Sequence, residues 1–433
     1  MSVSCIADST SIANQPSDIN HMRKLSLENW TIVLFTIIVL GMMIGALSAS
    51  LTLLLELVQH VMQGAQESVS NPSGAGVPWR RAISIIAASI IAAIVWYFLR
   101  RKTYVPSVSK AVKGEKMPFF ATILHVLLQI FIVGAGMSIG RETAPRELGS
   151  MLGQRISAWL RLSARDITVI TAVCAGAGFA GVYDAPLAGM FFAVEMLLAD
   201  VSLRTVMLAL GTSAVAAFTG ELVKGHKAFY SIPKIELSWQ LIVVCCIVGP
   251  LMGLIAYYFR KGTTWASKRQ THSVHIVWQL PLVGVLTALV AYFTPTIMGN
   301  GRALAQWSYN SNTSTNFIIL LLFVFALLKT FITIMTVRSG ASGGVLTPAI
   351  ATGAAVGAIV AIVFLPIFPQ LHIGVIALIA SAAFLATSQK APLMASCLMI
   401  ELSHSSIDSM MVIGIAVGLS VLVSSTLDKY TDK

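Results

Sequence analysis

The sequence predicts an all-α integral membrane protein, on three observations. Hydrophobic residues make up 56% of the 433 residues and charged residues only 11%, where a soluble domain carries roughly 25% charged residues. Mean hydropathy is +0.81. Apolar runs follow one another from near Trp30 to near Leu427 with no soluble module between them. Several of these runs are broken by Gly, Pro or a charge. Backbone that stops being helical at membrane depth must be buried in protein or line a polar cavity, so the expected architecture is a bundle with broken and tilted helices around a transport pathway.

Residues 1–29 are polar, with Arg23 and Lys24 ahead of the first span and no apolar signal-peptide core. This N-terminal segment is expected in the cytoplasm. Apolar runs at 30–63, 82–99, 120–139, 205–224, 238–258, 277–294 and 317–337 can each cross a hydrocarbon core of ~30 Å, which takes about 20 residues. The first is longer than needed and must tilt or protrude. Runs at 145–160, 167–182, 186–199, 349–366, 373–388, 392–402 and 409–426 are shorter or interrupted.

The net charge of +11 is carried largely in short loops: Arg80-Arg81, Arg100-Arg101-Lys102, Lys110 to Lys116, Arg260-Lys261 and Lys268-Arg269. That placement suits anionic lipid headgroups rather than nucleic acid. The five cysteines form no Cys-x-x-Cys pair, and four lie in apolar stretches, as small buried hydrophobes do. His60 and His125 fall within or at the end of long apolar runs, and neither has a ligand partner four residues on. No metal or cofactor is expected, and an intramembrane enzyme is the remote alternative.

The chain repeats itself. Asp184-Ala-Pro-Leu with Glu195 resembles Lys390-Ala-Pro-Leu with Glu401, at an offset of 206 residues. Gly136-Met-Ser-Ile-Gly140 with Pro145 resembles Gly340-Ala-Ser-Gly-Gly344 with Pro348, at an offset of 203 to 204. Two matches in one order at nearly one offset imply two related halves, 30–225 and 236–428, with a site at their interface.

Three stretches carry the chemistry. In Gly134-Ala-Gly-Met-Ser-Ile-Gly-Arg-Glu142-Thr-Ala-Pro145 an apolar helix ends in glycines and a proline opens the next. Free N–H groups and the positive dipole end at such a start attract an anion. A carboxylate there can occupy the site itself, and its protonation or movement releases the site. In Arg338-Ser-Gly-Ala-Ser-Gly-Gly-Val-Leu-Thr-Pro348 no side chain is obviously reactive, so backbone N–H groups are the expected ligands. In Gly176-Ala-Gly-Phe-Ala-Gly-Val-Tyr-Asp184-Ala-Pro186 the glycines permit close helix packing, and Asp184 reads as the N-cap of the helix at 186–199.

Together these stretches resemble the CLC chloride channel and transporter family, in its prokaryotic form without C-terminal CBS domains. Gly140-Arg141-Glu142 resembles the family's G-R-E-G-P signature. Gly343-Gly344-Val345-Leu346-Thr347-Pro348 resembles its G-G-I/V-F-x-P motif, and the two Ala-Pro-Leu segments its paired helix starts. The resemblance spans residues 30 to 428. It implies an inverted-repeat helical fold, a homodimer in the inner (plasma) membrane with one anion pathway per subunit, and Glu142 as the gating glutamate. It also implies anion contacts at Gly140, Arg141, Val345 and Leu346, with Thr103 and Tyr430 as the counterparts of the family's central serine and tyrosine. Chloride is the expected anion and fluoride the alternative. Transport is either passive or proton-coupled. Met196 stands where transporters of the family often carry an internal proton-transfer Glu, and a thioether has no titratable site, so coupling is expected to be weak or to follow another route.

Overall fold

The computed structural model describes residues 27, 29–68, 70–225, 228–311 and 315–431. The segment 1–29 therefore lies almost entirely outside the described residues, as does Cys5. Everything described is helix and loop, apart from one isolated β-bridge.

In chain order the helices are α1 (Trp30–Gln63), α2 (Pro78–Lys102), α3 (Val108–Val112), α4 (Phe119–Gly134), α5 (Thr143–Trp159), α6 (Ala164–Tyr183), α7 (Pro186–Leu198) and α8 (Leu203–Lys224). Then follow α9 (Trp239–Lys268), α10 (Ile276–Phe293), α11 (Arg302–Tyr309), α12 (Asn316–Arg338), α13 (Leu346–Phe364), α14 (Ile373–Gln389), α15 (Pro392–Ser403) and α16 (Met410–Thr431). Among the described residues, nine helices are long and apolar enough to cross a membrane. The runs read from the sequence reappear within about five residues at their ends, except that α9 continues ten residues past the run at 238–258. The short α3 and α11 are additions, because neither is apolar or long enough to register as a run. The 34 residues of α1 would span about 51 Å as a straight helix. A π-turn at Thr36–Leu40 interrupts it, where the Thr36 hydroxyl bonds back to Ile32 O at 2.8 Å.

Burial separates an inner from an outer set. Along their most apolar stretch, 83% of α13 and 78% of α6 are buried, against 28% of α12 and 33% of α10. The outer helices present Leu, Ile and Phe to lipid. The inner ones are rich in Gly and Ala because their backbones nearly touch: a Cβ on Gly178 would overlap Pro145 O, and one on Gly149 would overlap Cys174 O.

The packing pattern recurs about two hundred residues along. α5 packs on α6 as α13 does on α14, α1 on α8 as α9 does on α16, and α6 on α8 as α14 does on α16. A corner recurs too, with its charges exchanged. Asp184 ends α6 in the left-handed conformation and pairs with Lys224 at 3.0 Å; Lys390 ends α14 the same way and pairs with Asp428 at 3.0 Å.

Asp184 is thus the C-cap of α6 rather than the N-cap of α7. The N-terminus of α7 is capped across the molecule instead. Glu401 accepts from Leu187 N (2.8 Å) and Ala188 N (2.9 Å), while Glu195 accepts from Leu393 N (3.1 Å) and Met394 N (2.9 Å) at the start of α15. Each carboxylate closes the other segment's helix, so α7 and α15 run antiparallel. An Asp in a left-handed corner cannot also present its oxygens to the next helix, which is why the local reading fails.

Helix ends collect at two faces. On one, Arg80 reaches Val61 O (2.8 Å), Arg81 reaches Tyr292 O (2.9 Å) and Lys224 reaches Val182 O (2.8 Å). On the other, Arg100 reaches Gly340 O (2.8 Å) and Arg260 reaches Thr387 O (2.8 Å). Most of the basic loop residues belong to this second face.

Candidate anion site at the meeting of the two loops

The loops before α5 and α13 meet at the isolated antiparallel bridge. Gly140 N donates to Gly344 O at 2.7 Å, and Gly344 N to Gly140 O at 2.9 Å. Two helices therefore start from one point in the interior. Glu142 is the N-cap of α5, yet its side chain turns to the other helix. It is fully buried, and its Oε1 accepts from Leu346 N at 2.7 Å, with Thr347 Oγ1 at 3.3 Å from Oε2. The carboxylate occupies the first turn of α13, where the N–H groups have no intrahelical acceptor and the helix dipole is positive. Gly140 and Gly344 form the walls: a Cβ on either would overlap the Glu142 carboxylate. Here glycine is required for space, and the ordinary φ at both positions needs none of its freedom.

Beside this point a cavity of about 530 Å³ is lined by Glu56, Glu67, Arg141, Asp184, Lys224 and Arg302, among others. Arg141 and Arg302 flank Glu67 Oε2 at 4.0 and 3.7 Å. Both guanidinium groups stack on Phe229, at 5.2 and 4.4 Å from its centroid. The cavity thus holds the cations Arg141, Lys224 and Arg302 together with the acids Glu56, Glu67 and Asp184, and Arg141 joins it to the buried Glu142 next in the chain.

Residues 87–425 match the family model described as voltage gated chloride channel. The chain belongs to the CLC family. It transports anions across a membrane as a multi-pass protein. Among curated proteins it resembles the H(+)/Cl(-) exchange transporter ClcA of Vibrio cholerae serotype O1, 25% identical over 397 residues, which cover 86% of this chain and 82% of that one. Among solved structures it resembles a slow cyanobacterial Cl−/H+ antiporter (TM-score 0.77, 20% identity, 91% of this chain and 94% of that one). It also resembles a CLC-type fluoride/proton antiporter (TM-score 0.68, 19% identity, 91% and 95%).

The expected CLC site residues separate into those the fold assembles and those it does not. Glu142, Gly140, Val345 and Leu346 come together, and Val345 is the N-cap of α13. Gly140 differs in how it contributes: its N–H is engaged by Gly344, so it offers room rather than a donor. Arg141 lines the cavity through its side chain, facing Glu67. Thr103 is the half-buried C-cap of α2, its N–H closing on Leu99 O at 2.9 Å. Among the described residues no hydrogen bond joins Thr103 to the Glu142 cluster. Tyr430 is 75% exposed on the last turn of α16. That helix continues through it without the break that would turn a tyrosine inward, so Tyr430 is not in the assembled site.

Lys329 escapes the sequence reading. It lies mid-way along α12, fully buried, with Nζ bonded to Ser138 Oγ (2.9 Å), Ile297 O (3.1 Å) and Gly299 O (2.7 Å). It ties α12 to the loop that carries Glu142. The signal is present: a single lysine inside a long apolar run is a functional candidate by default. Glu67 has no such signal, since it sits in a polar loop.

Proposed function

We propose that this protein exchanges chloride for protons, with the Glu142 carboxylate and the anion alternating at the N-terminus of α13. The observation that carries the reading is the Leu346 N–H donating to a carboxylate walled in by two glycines. A chloride needs the same donor. Protonation removes the charge that the helix start attracts, and so ties the release of the site to proton movement. The kinship with chloride/proton exchangers supports chloride and protons as substrates. The fluoride/proton relative keeps fluoride as the second reading.

The excess of Lys and Arg on the Arg100 and Arg260 face favours that face as cytoplasmic. The 530 Å³ cavity then opens outward, and the plasma membrane is the natural location. The two loops meeting at Gly140 and Gly344 support a reading as two inverted halves, 30–225 and 236–428. A homodimer is supported by Gly414 and Gly418, four apart on α16, where a Cβ at either position would meet nothing within 4 Å. That spacing lets helices approach closely in lipid. Cross-linking in membranes reads that contact.

The test is parallel chloride, fluoride and proton flux from purified protein in liposomes. Wild type should move chloride and protons together. Glu142→Gln should retain or increase anion flux and lose its pH dependence and proton movement. Unaltered flux and pH response in Glu142→Gln would remove Glu142 from the gate.

A further inference from the structure

A second carboxylate lies at membrane depth, and the gate does not use it. Glu147 stands on α5 five residues beyond Glu142, about 7.5 Å along the axis, on the side away from the outer cavity. It is 5% exposed. Its Oε2 accepts from Gln129 Nε2 at 2.6 Å and faces His125 Nε2 at 3.8 Å, both from α4. The other imidazole nitrogen, Nδ1, faces Trp96 Nε1 of α2 at 3.1 Å. An indole nitrogen only donates, so Nδ1 is the acceptor, and the neutral ring carries its proton on Nε2, toward Glu147.

The neighbouring charges are turned elsewhere. Arg100 of α2 stacks over Trp96 and bonds to Gly340 O and Ser342 Oγ. Arg146 bonds to Glu142 O at 2.7 Å and Thr143 Oγ1 at 3.1 Å. One atom is left over: Gln129 Oε1 is buried without a hydrogen-bond partner. A buried orphan acceptor calls for a proton donor, and Glu147, already bonded to the same amide, can supply one once protonated. Rotation of the Gln129 amide exchanges which end faces the carboxyl, so the pair can serve either charge state without moving the backbone.

We propose that Glu147 is the inner proton site of the exchange, with Gln129 and His125 as positioning residues, in place of the carboxylate that Met196 lacks. This rests on the exchange reading above. The O–H bond on Glu147 breaks and one forms on the Glu142 carboxylate, with intervening water carrying the proton between them. Glu147 then takes its next proton from water on the Arg100 side.

The experiment is chloride-driven proton uptake and chloride efflux, measured together in liposomes. In Glu147→Gln, proton movement should fall at least about tenfold while chloride efflux persists, so the chloride-to-proton ratio rises. A wild-type ratio in Glu147→Gln overturns the assignment and leaves the exchange reading standing. Wild-type protein that moves chloride without protons overturns both. If Glu147→Gln does not assemble, Glu147→Asp, which keeps a carboxyl but withdraws it from Gln129, should slow coupled proton movement; an undiminished rate there overturns the assignment equally.

Discussion

Two regions of this molecule place a carboxylate on a helix N-terminus, and they do so differently. At α7 and α15 the arrangement is reciprocal. Glu195 and Glu401 each take two backbone N–H groups of the other segment, at 2.8–3.1 Å. At α5 and α13 it is one-sided. Glu142 takes one N–H and one hydroxyl of α13, and the residue 204 positions later is Leu346, which returns nothing. The first arrangement saturates both helix starts and holds them. The second leaves a helix start served by a single carboxylate that can leave, and a buried N–H donor is then free for an anion. Broken symmetry, rather than the chemistry of the cap, separates the proposed gate from the staple.

The largest effect should come from breaking the walls of the one-sided site. In Gly344→Ala the new Cβ takes the space of the Glu142 carboxylate and should drive it from its seat. Anion flux per reconstituted protein should change severalfold and lose its pH dependence, measured as efflux across a pH series. A wild-type profile would mean the carboxylate is not held where its function requires.

Breaking the reciprocal caps should act on stability and leave the ion chemistry intact. Glu401→Ala strands Leu187 N and Ala188 N, at a cost of about 1–3 kcal/mol; Glu195→Ala does the same to α15. The thermal unfolding temperature in detergent should fall in each, while the chloride-to-proton ratio of the protein that remains folded stays put. A change of ratio would make these glutamates part of the pathway.

The smallest effect is expected at Met196. With Glu147 serving the inner side, Met196→Glu should add little to chloride-driven proton uptake. A clear increase would return the inner route to the family's usual position.

The helices and the Glu142 site are legible in the sequence because both depend on signals that are local or repeated. Apolar runs set the spans, and Gly-Arg-Glu with Gly-Gly-Val-Leu-Thr-Pro marks the two helix starts. Pairing at a distance is not legible. Asp184 looks like a cap because a cap is normally local, whereas the actual cap, Glu401, is more than two hundred residues away. The resemblance leads to Thr103 and Tyr430, and it cannot tell that α16 runs on unbroken. Glu147 is visible as an acid, but only packing brings His125 and Gln129 of α4 to its carboxylate and sets Trp96 of α2 against the far side of the His125 ring.

Above all, Glu142 and the transported anion should compete for the Leu346 N–H. Bromide soaked into crystals of wild type and of Glu142→Ala, located by its anomalous scattering, tests this most directly. Bromide should lie within hydrogen-bond distance of Leu346 N in Glu142→Ala, with none there in wild type while the carboxylate is seated. An empty α13 N-terminus in Glu142→Ala, or bromide and the seated carboxylate bound there together, would contradict the competition.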